Sequence, residues 1–156
     1  MIVMSIDPGL NGAIAVFVGD ILHDVIDTPT HTLLRNGKDK RQVSASALAS
    51  IFKEYDPGHV VVEKVGAMPG QGVTSMFSFG RSLGVIEGIL AAYELPSTYV
   101  IPGVWTKGIG RGEGKDASRA RACELYPSQQ KLFSRVKDDG RADAVLIGAW
   151  YLKVNK

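Results

Sequence analysis

A single cysteine, Cys123, stands among the 156 residues. No internal disulfide can form, and such a composition suits a reducing compartment. Cys123 falls in a helical pattern, where a free cysteine is expected to be buried. No apolar run approaches the ~18 residues of a membrane span, and no membrane partner is expected. Met1 to Ile6 carry no basic residue and lead straight into Asp7, so they do not read as a signal peptide. Internal repeats and linker-like stretches are also missing. With 45% hydrophobic residues the chain can build a core, which excludes global disorder. One domain over residues 1–156 is expected.

Lys and Arg are absent from residues 1–30, which hold Asp7, Asp20, Asp24 and Asp27. The cations lie elsewhere. Residues 105–121 contain Lys107, Arg111, Lys115, Arg119 and Arg121 against Glu113 and Asp116, and residues 35–41 add Arg35, Lys38, Lys40 and Arg41 against Asp39. The net charge of +2 hides this segregation. Acids in one place and cations on the flanks suit a polyanion held over bound cations, although charge alone also describes an ordinary solvated surface.

Residues 2–6 are a short apolar run ended by Asp-Pro-Gly, the pattern of a buried strand. Residues 13–18 and 21–26, separated by Gly19-Asp20, predict two more strands in an antiparallel meander. Residues 29–42 are polar and basic and read as a loop. Val43, Ala47, Leu48, Ile51 and Phe52 have helical spacing, stopped at Pro57-Gly58. His59–Glu63 is a β-branched run fit for a central strand. A glycine-rich loop over 65–72 precedes a long helix over 73–93. Gly80, Gly84 and Gly88 recur there every four residues, a stripe that permits close approach of another backbone. Residues 98–101 predict a fifth strand, 102–114 a loop, and 115–125 and 139–152 two helices. The expected class is α/β, a five-stranded mixed sheet flanked by helices.

Two acids end strands of this scheme and two stand at the start of its last helix. Asp7 closes the first strand and Glu63 the buried strand. If those strands are parallel neighbours, both emerge at one sheet edge. Asp139 and Asp143, four apart, share a helix face. Converging carboxylates repel and are costly to bury, so such a cluster calls for cations. Magnesium prefers hard oxygen ligands, and two ions together activate water for phosphodiester cleavage. Each acid also has a plainer role. Asp7 suits a turn, Glu63 a salt bridge with Lys64, Asp139 a helix cap, and Asp143 a surface pair with Arg141 or Lys137. The conjunction of the four favours the site.

Ser5-Ile6-Asp7-Pro8-Gly9 with Gly12–Ala15, Val60–Glu63, the segment Gly70–Gly80 and Asp138–Ala144 together resemble the RuvC family of Holliday-junction resolvases, especially its phage-type members. The resemblance implies an RNase H-like fold, a homodimer and paired incisions across four-way DNA junctions. It implies magnesium, two ions per site, with manganese as a substitute. It also implies the cytoplasm of a bacterial or phage-infected cell. The family's ligands fall on Asp7, Glu63 and Asp143. The remaining helix ligand usually stands three residues before the last acid, which here is Gly140. Asp139 is the better replacement, since a spacing of four keeps it within ~40° of Asp143, whereas Asp138 lies ~140° away and is the second choice. Lys107 and Lys115 match the family's basic catalytic positions, with Arg111 and Arg119 nearby as DNA contacts. The family's junction-centre aromatic has no counterpart; Gly66 stands there, and Met68 is the available apolar wedge. Phe77 and Phe79 read as core.

Two other functions compete. A non-catalytic branched-DNA-binding module would keep the fold without cleavage, but acids at three separate places argue for chemistry. An actin- or hexokinase-like phosphotransferase also opens on an acid-glycine turn, yet it needs a second lobe for which 156 residues leave no room.

Overall fold

A computed structural model describes all 156 residues. The first strands form the expected meander: β1 (Ile2–Asp7), β2 (Ala13–Val18) and β3 (Ile21–Asp27). After β4 (Thr30–Arg35), β5 (Lys38–Val43) and α1 (Ala45–Tyr55) comes β6 (His59–Glu63). Then follow α2 (Val73–Ala92), β7 (Ser97–Val100), α3 (Pro102–Gly108), α4 (Ala117–Leu125), two 3-10 stretches (Pro127–Phe133, Val136–Asp138) and α5 (Asp139–Val154). The main sheet has the order β3-β2-β1-β6-β7. β1 is antiparallel to β2 and parallel to β6, with Ile6 beside Val62.

Strand alternation divides the core in two. Met4, Ile6, Ile14, Val16, Val60 and Val62 face Leu48, Phe52, Ile86 and Leu90 of α1 and α2. Val3, Ala13, Ala15, Phe17 and Val61 face Trp105, Ala122 and the inner side of α5. The sheet is thus covered on both sides, which explains why β1, β2 and β6 read as continuous apolar runs rather than alternating ones.

Helix α5 lies flush on the sheet because of its small residues. A Cβ on Gly148 would collide with the Phe17 ring and the Ser5 hydroxyl, and one on Gly140 with the backbone of Asn11 and Gly12. Between them the Ser5 hydroxyl donates to the Ala144 carbonyl at 2.7 Å in a buried contact. Gly140, Ala144 and Gly148 therefore form a working small-residue stripe. The other stripe, Gly80, Gly84 and Gly88 of α2, expected to allow close approach of another backbone, meets nothing within the chain: a Cβ at any of the three finds open space.

Two segments read as loops are ordered. Residues 30–43 form a hairpin whose turn, Asn36-Gly37, has positive φ at both positions (51° and 69°). Asn-Gly is the favoured pair for a two-residue hairpin turn; the charged flanks concealed this signal. Residues 102–108 form α3, opened by Pro102 in the first turn, where its missing N–H costs nothing. Phe77 is 71% exposed rather than core. Cys123 is only half-buried.

Gly148→Ala is expected to lower the unfolding free energy by about 1–3 kcal/mol, the usual cost of overpacking, read from the urea midpoint. Phe17→Leu should recover part of that loss in the double variant, because the ring is what the added methyl meets. Fully additive losses would contradict the flush contact.

Candidate metal and DNA site

Asp7 and Glu63 end adjacent parallel strands. The register pairs Ile6 with Val62, so the two acids are the next residues on each strand and project from the same face as Val3, Ser5 and Val61. That face carries α5, which supplies Asp139 and Asp143 from its first turns. The turn after β1 is tight: the Gly12 N–H donates to the Gly9 carbonyl at 3.3 Å, and Gly9 adopts φ 126°. Gly140 seats the start of α5 against the turn's backbone, which places Asp143 near Asp7. The same contact explains why no acid occupies position 140, since any side chain there would enter the turn.

Three of the acids share one electrostatic field. Asp7 keeps some solvent contact, yet protein surrounds most of it. Burial, then the charges of Asp143 and Glu63, raise its pKa well above the ordinary value. Glu63 is raised by burial and by Asp143, against the hydrogen bond from Trp105 and the charge of Arg111. Asp143 is raised by burial and by Asp139, opposed by Ser118 and Arg111. Its Oδ1 is buried without a hydrogen-bond partner. A buried anionic oxygen without a donor is costly.

Sequence reasoning missed Trp105. Its indole Nε1 donates to Glu63 Oε1 at 2.8 Å, and the ring is 2% exposed. Glu63 is thus held from α3 rather than paired with Lys64. A tryptophan in a stretch read as a loop had no visible task; only the helix beside β6 gives it one. Arg111, expected as a DNA contact, lies close enough to lower both Glu63 and Asp143, and its Nε donates to Ser118 Oγ at 2.5 Å.

The two candidates for the fourth ligand are differently engaged. Asp138 is 1% exposed and spends both carboxylate oxygens on Arg135, including its backbone N–H at 2.9 Å. The Arg135 hydrogen bond holds its pKa below the ordinary range. It caps the 3-10 turn before α5. Asp139 keeps 47% of its side chain exposed and accepts from Arg119 Nε at 2.8 Å. Arg119 also reaches Asp116. Arg141 does not pair with Asp143; it grips Asp27 with two hydrogen bonds, of 2.7 and 2.8 Å. Lys107 and Lys115 are exposed, and Met68 is 68% exposed on the loop after β6.

No three of these carboxylates close on one point tightly enough to enclose an ion. They act on one another through their charges instead. The donor set nevertheless fits a hard divalent ion: carboxylate oxygens, a buried unpartnered Oδ1 on Asp143, and raised acids on one sheet end. A cleft of about 780 Å³ is lined by Asp7, Asp139 and Asp143 together with Arg41, Arg135 and Lys137, while Glu63 lies outside its lining.

No family model matches the sequence. The chain is 39% identical to the chloroplastic Holliday junction resolvase MOC1 of Chlamydomonas reinhardtii over 121 residues. That match covers 72% of this chain and 14% of the relative, so the chain spans only a small part of that protein. Among solved structures, Thermus thermophilus RuvC bound to a Holliday junction substrate superposes with a TM-score of 0.62 at 12% identity, covering 99% of this chain and 96% of that one. The yeast mitochondrial Holliday junction resolvase Ydc2 gives 0.52 at 12%, over 97% and 78%. The fold is RNase H-like, in the form found in RuvC.

The raised acids set a sign for stability against pH. A carboxylate raised on folding stabilises below its unfolded pKa of ~4 and loses that contribution as pH climbs through the folded value. Asp27 and Asp138, both lowered, act oppositely but only below ~4. In chelator, the cluster is expected to pull the melting temperature down from pH 5 to pH 8, against the rise that His59, lowered by burial, contributes as pH climbs through ~6.5. Asp7→Asn should raise it at pH 8, by roughly 2–4 °C per kcal/mol relieved, and flatten the profile. Because His59 acts oppositely in that window, the decisive comparison is between parent and variant: an Asp7→Asn profile that matches the parent's from pH 5 to 8 would show that the cluster carries no strain.

Proposed function

We propose that this chain is a RuvC-type Holliday junction resolvase: a divalent-metal-dependent endodeoxyribonuclease that nicks branched DNA, above all four-way junctions, at paired sites. The observation that carries this reading is the mutual electrostatic coupling of Asp7, Glu63 and Asp143 at one end of the sheet, with a buried unpartnered oxygen on Asp143. The 39% identity to a junction resolvase supports the substrate class. DNA recombination and repair in a bacterial or phage-infected cell is the setting this reading implies. No helix is long and apolar enough to cross a membrane.

Asp7, Glu63, Asp143 and Asp139 would hold two magnesium ions, and manganese would substitute. Bound there, the ions would supply an activated water and charge neutralisation at the leaving oxygen. The remaining work falls to the chain. Trp105 holds Glu63 in one orientation through its indole N–H. Arg111 offsets negative charge at Glu63 and Asp143. Asp139 is drawn toward Arg119, so ligation there requires exchange of that partner. Asp138, committed to Arg135, is left to hold the start of α5. Lys107 and Lys115, both exposed, would meet the phosphates and stabilise their developing charge, with Arg111 and Arg119 as further DNA contacts. Met68, exposed on the loop after β6, would serve as an apolar wedge at the junction centre.

A two-fold dimer suits a nearly two-fold junction and sets one site on each of two strands. Helix α2 offers the surface for it. Val73, Phe77, Gly80, Gly84 and Gly88 fall within ~80° of one another around the helix, and all are exposed. Val73 and Phe77, at 85% and 71% exposure, supply the apolar anchors, and the glycines allow close approach.

Labelled four-way, three-way and duplex DNA, with magnesium or chelator, test the activity. Symmetric magnesium-dependent nicking of the four-way junction is expected, and Asp7→Asn should abolish cleavage by at least ~10³-fold while sparing binding. Equal cutting of plain duplex would remove the junction claim. Absence of cleavage with magnesium and with manganese, with binding retained, would favour the binding module. For the dimer, Gly84→Arg should shift the sedimentation mass from two chains to one; a wild-type protein that sediments as a single chain would refute it.

A further inference from the structure

The hairpin of β4 and β5 stands apart from the main sheet as its own two-stranded unit, with residues 31–41 exposed throughout. A two-stranded ribbon with no face to pack is marginal in water, so something else must justify it. Its register places Leu33 opposite Lys40 and Arg35 opposite Lys38. Strand alternation then sets His31, Leu33, Arg35, Lys38, Lys40 and Gln42 on one face. That face has three cations and no acid. Asp39 lies on the other face, beside Leu34. Like charges directly across a ribbon destabilise it, and Arg35 and Lys38 are such a pair. No ion pair within the chain relieves the three cations.

The base of the hairpin is fixed to the candidate site. Arg41 donates from Nη2 to the Leu10 carbonyl at 2.8 Å and from Nη1 to Asn11 Oδ1 at 2.9 Å. Both acceptors lie in the turn that follows Asp7. Arg81 of α2 donates to the Val43 carbonyl at 3.3 Å, and the Ser44 N–H to the Pro29 carbonyl at 2.9 Å. The ribbon thus has a positioned root and a free, cationic blade. Six residues per strand reach about 20 Å, comparable to the width of a duplex.

We propose that the hairpin is a DNA-backbone grip. Its Arg35, Lys38 and Lys40 face would take the phosphates of the duplex arm flanking the cut strand, independent of base sequence, and Arg41 would fix that grip relative to the Asp7 turn. The proposal rests on the reading of the chain as a junction-binding nuclease and adds where the substrate is held. Counterion release makes the grip measurable, because each phosphate contact steepens the salt dependence of binding by about 0.9 in log–log slope.

The test uses Asp7→Asn protein, so that a fluorescent four-way junction stays intact, and follows anisotropy from 50 to 200 mM salt. Adding Arg35→Ala, Lys38→Ala and Lys40→Ala should weaken binding about tenfold or more and reduce the slope by about 2–3. Removing Lys53 and Lys156, exposed cations outside the hairpin, should change the slope by less than 1. Glutamine at the same three positions repeats the test should alanine loosen the ribbon, which circular dichroism would report. A parent that binds the junction, with a triple variant of unchanged affinity and slope, would overturn the grip alone. A parent that binds no junction DNA would overturn the underlying reading and the grip with it.

Discussion

The flush seating of α5 on β1 and β2 is the contact on which the rest of the site depends. Side chains at 140 and 148 would each force the helix off the sheet, by the Asn11–Gly12 backbone at one end and Phe17 at the other. Absence of side chains there brings Asp143 within the field of Asp7 and lets Ser5 bond Ala144. Packed interiors have no slack to absorb a displaced helix. The core and the carboxylate cluster are therefore set by the same two glycines.

That geometry works against stability. Burial raises Asp7, Glu63 and Asp143 alike, and their mutual charges add to it. Natural folds tolerate such local conflict mainly where function requires it. Other acids of the fold are paired: Asp138 with Arg135, Asp27 with Arg141, and Asp24 with the Tyr55 hydroxyl at 2.6 Å. The contrast between these pairs and the unpartnered oxygen of Asp143 sets the cluster apart from surface chemistry.

Much of this was legible in the residues. The apolar runs located β1, β2 and β6, and the acids at strand ends predicted a shared edge, because a parallel register leaves no other place for them. What stayed hidden depends on contacts distant in sequence. Trp105 acquires its role only when α3 lies beside β6. The i, i+4 glycines of α2 and the Gly-Ala-Gly series of α5 carry one pattern, yet only the latter meets a sheet. Asp138 and Asp139 differ by the accident of which arginine is nearest. The hairpin was misread for a local reason: the Asn-Gly turn is a strong signal, but its strands lack the apolar alternation that marks a half-buried ribbon.

The site also has a history within each molecule. Its acids come from the first strand, the middle of the chain and the last helix, and the Ser5–Ala144 bond closes a loop of 139 residues. Contacts so far apart form late, after the entropy of loop closure has been met. A chain emerging from the ribosome has no carboxylate cluster until its final helix arrives. A partly made or truncated copy therefore cannot assemble the carboxylate cluster, even where its sheet and basic hairpin have already formed.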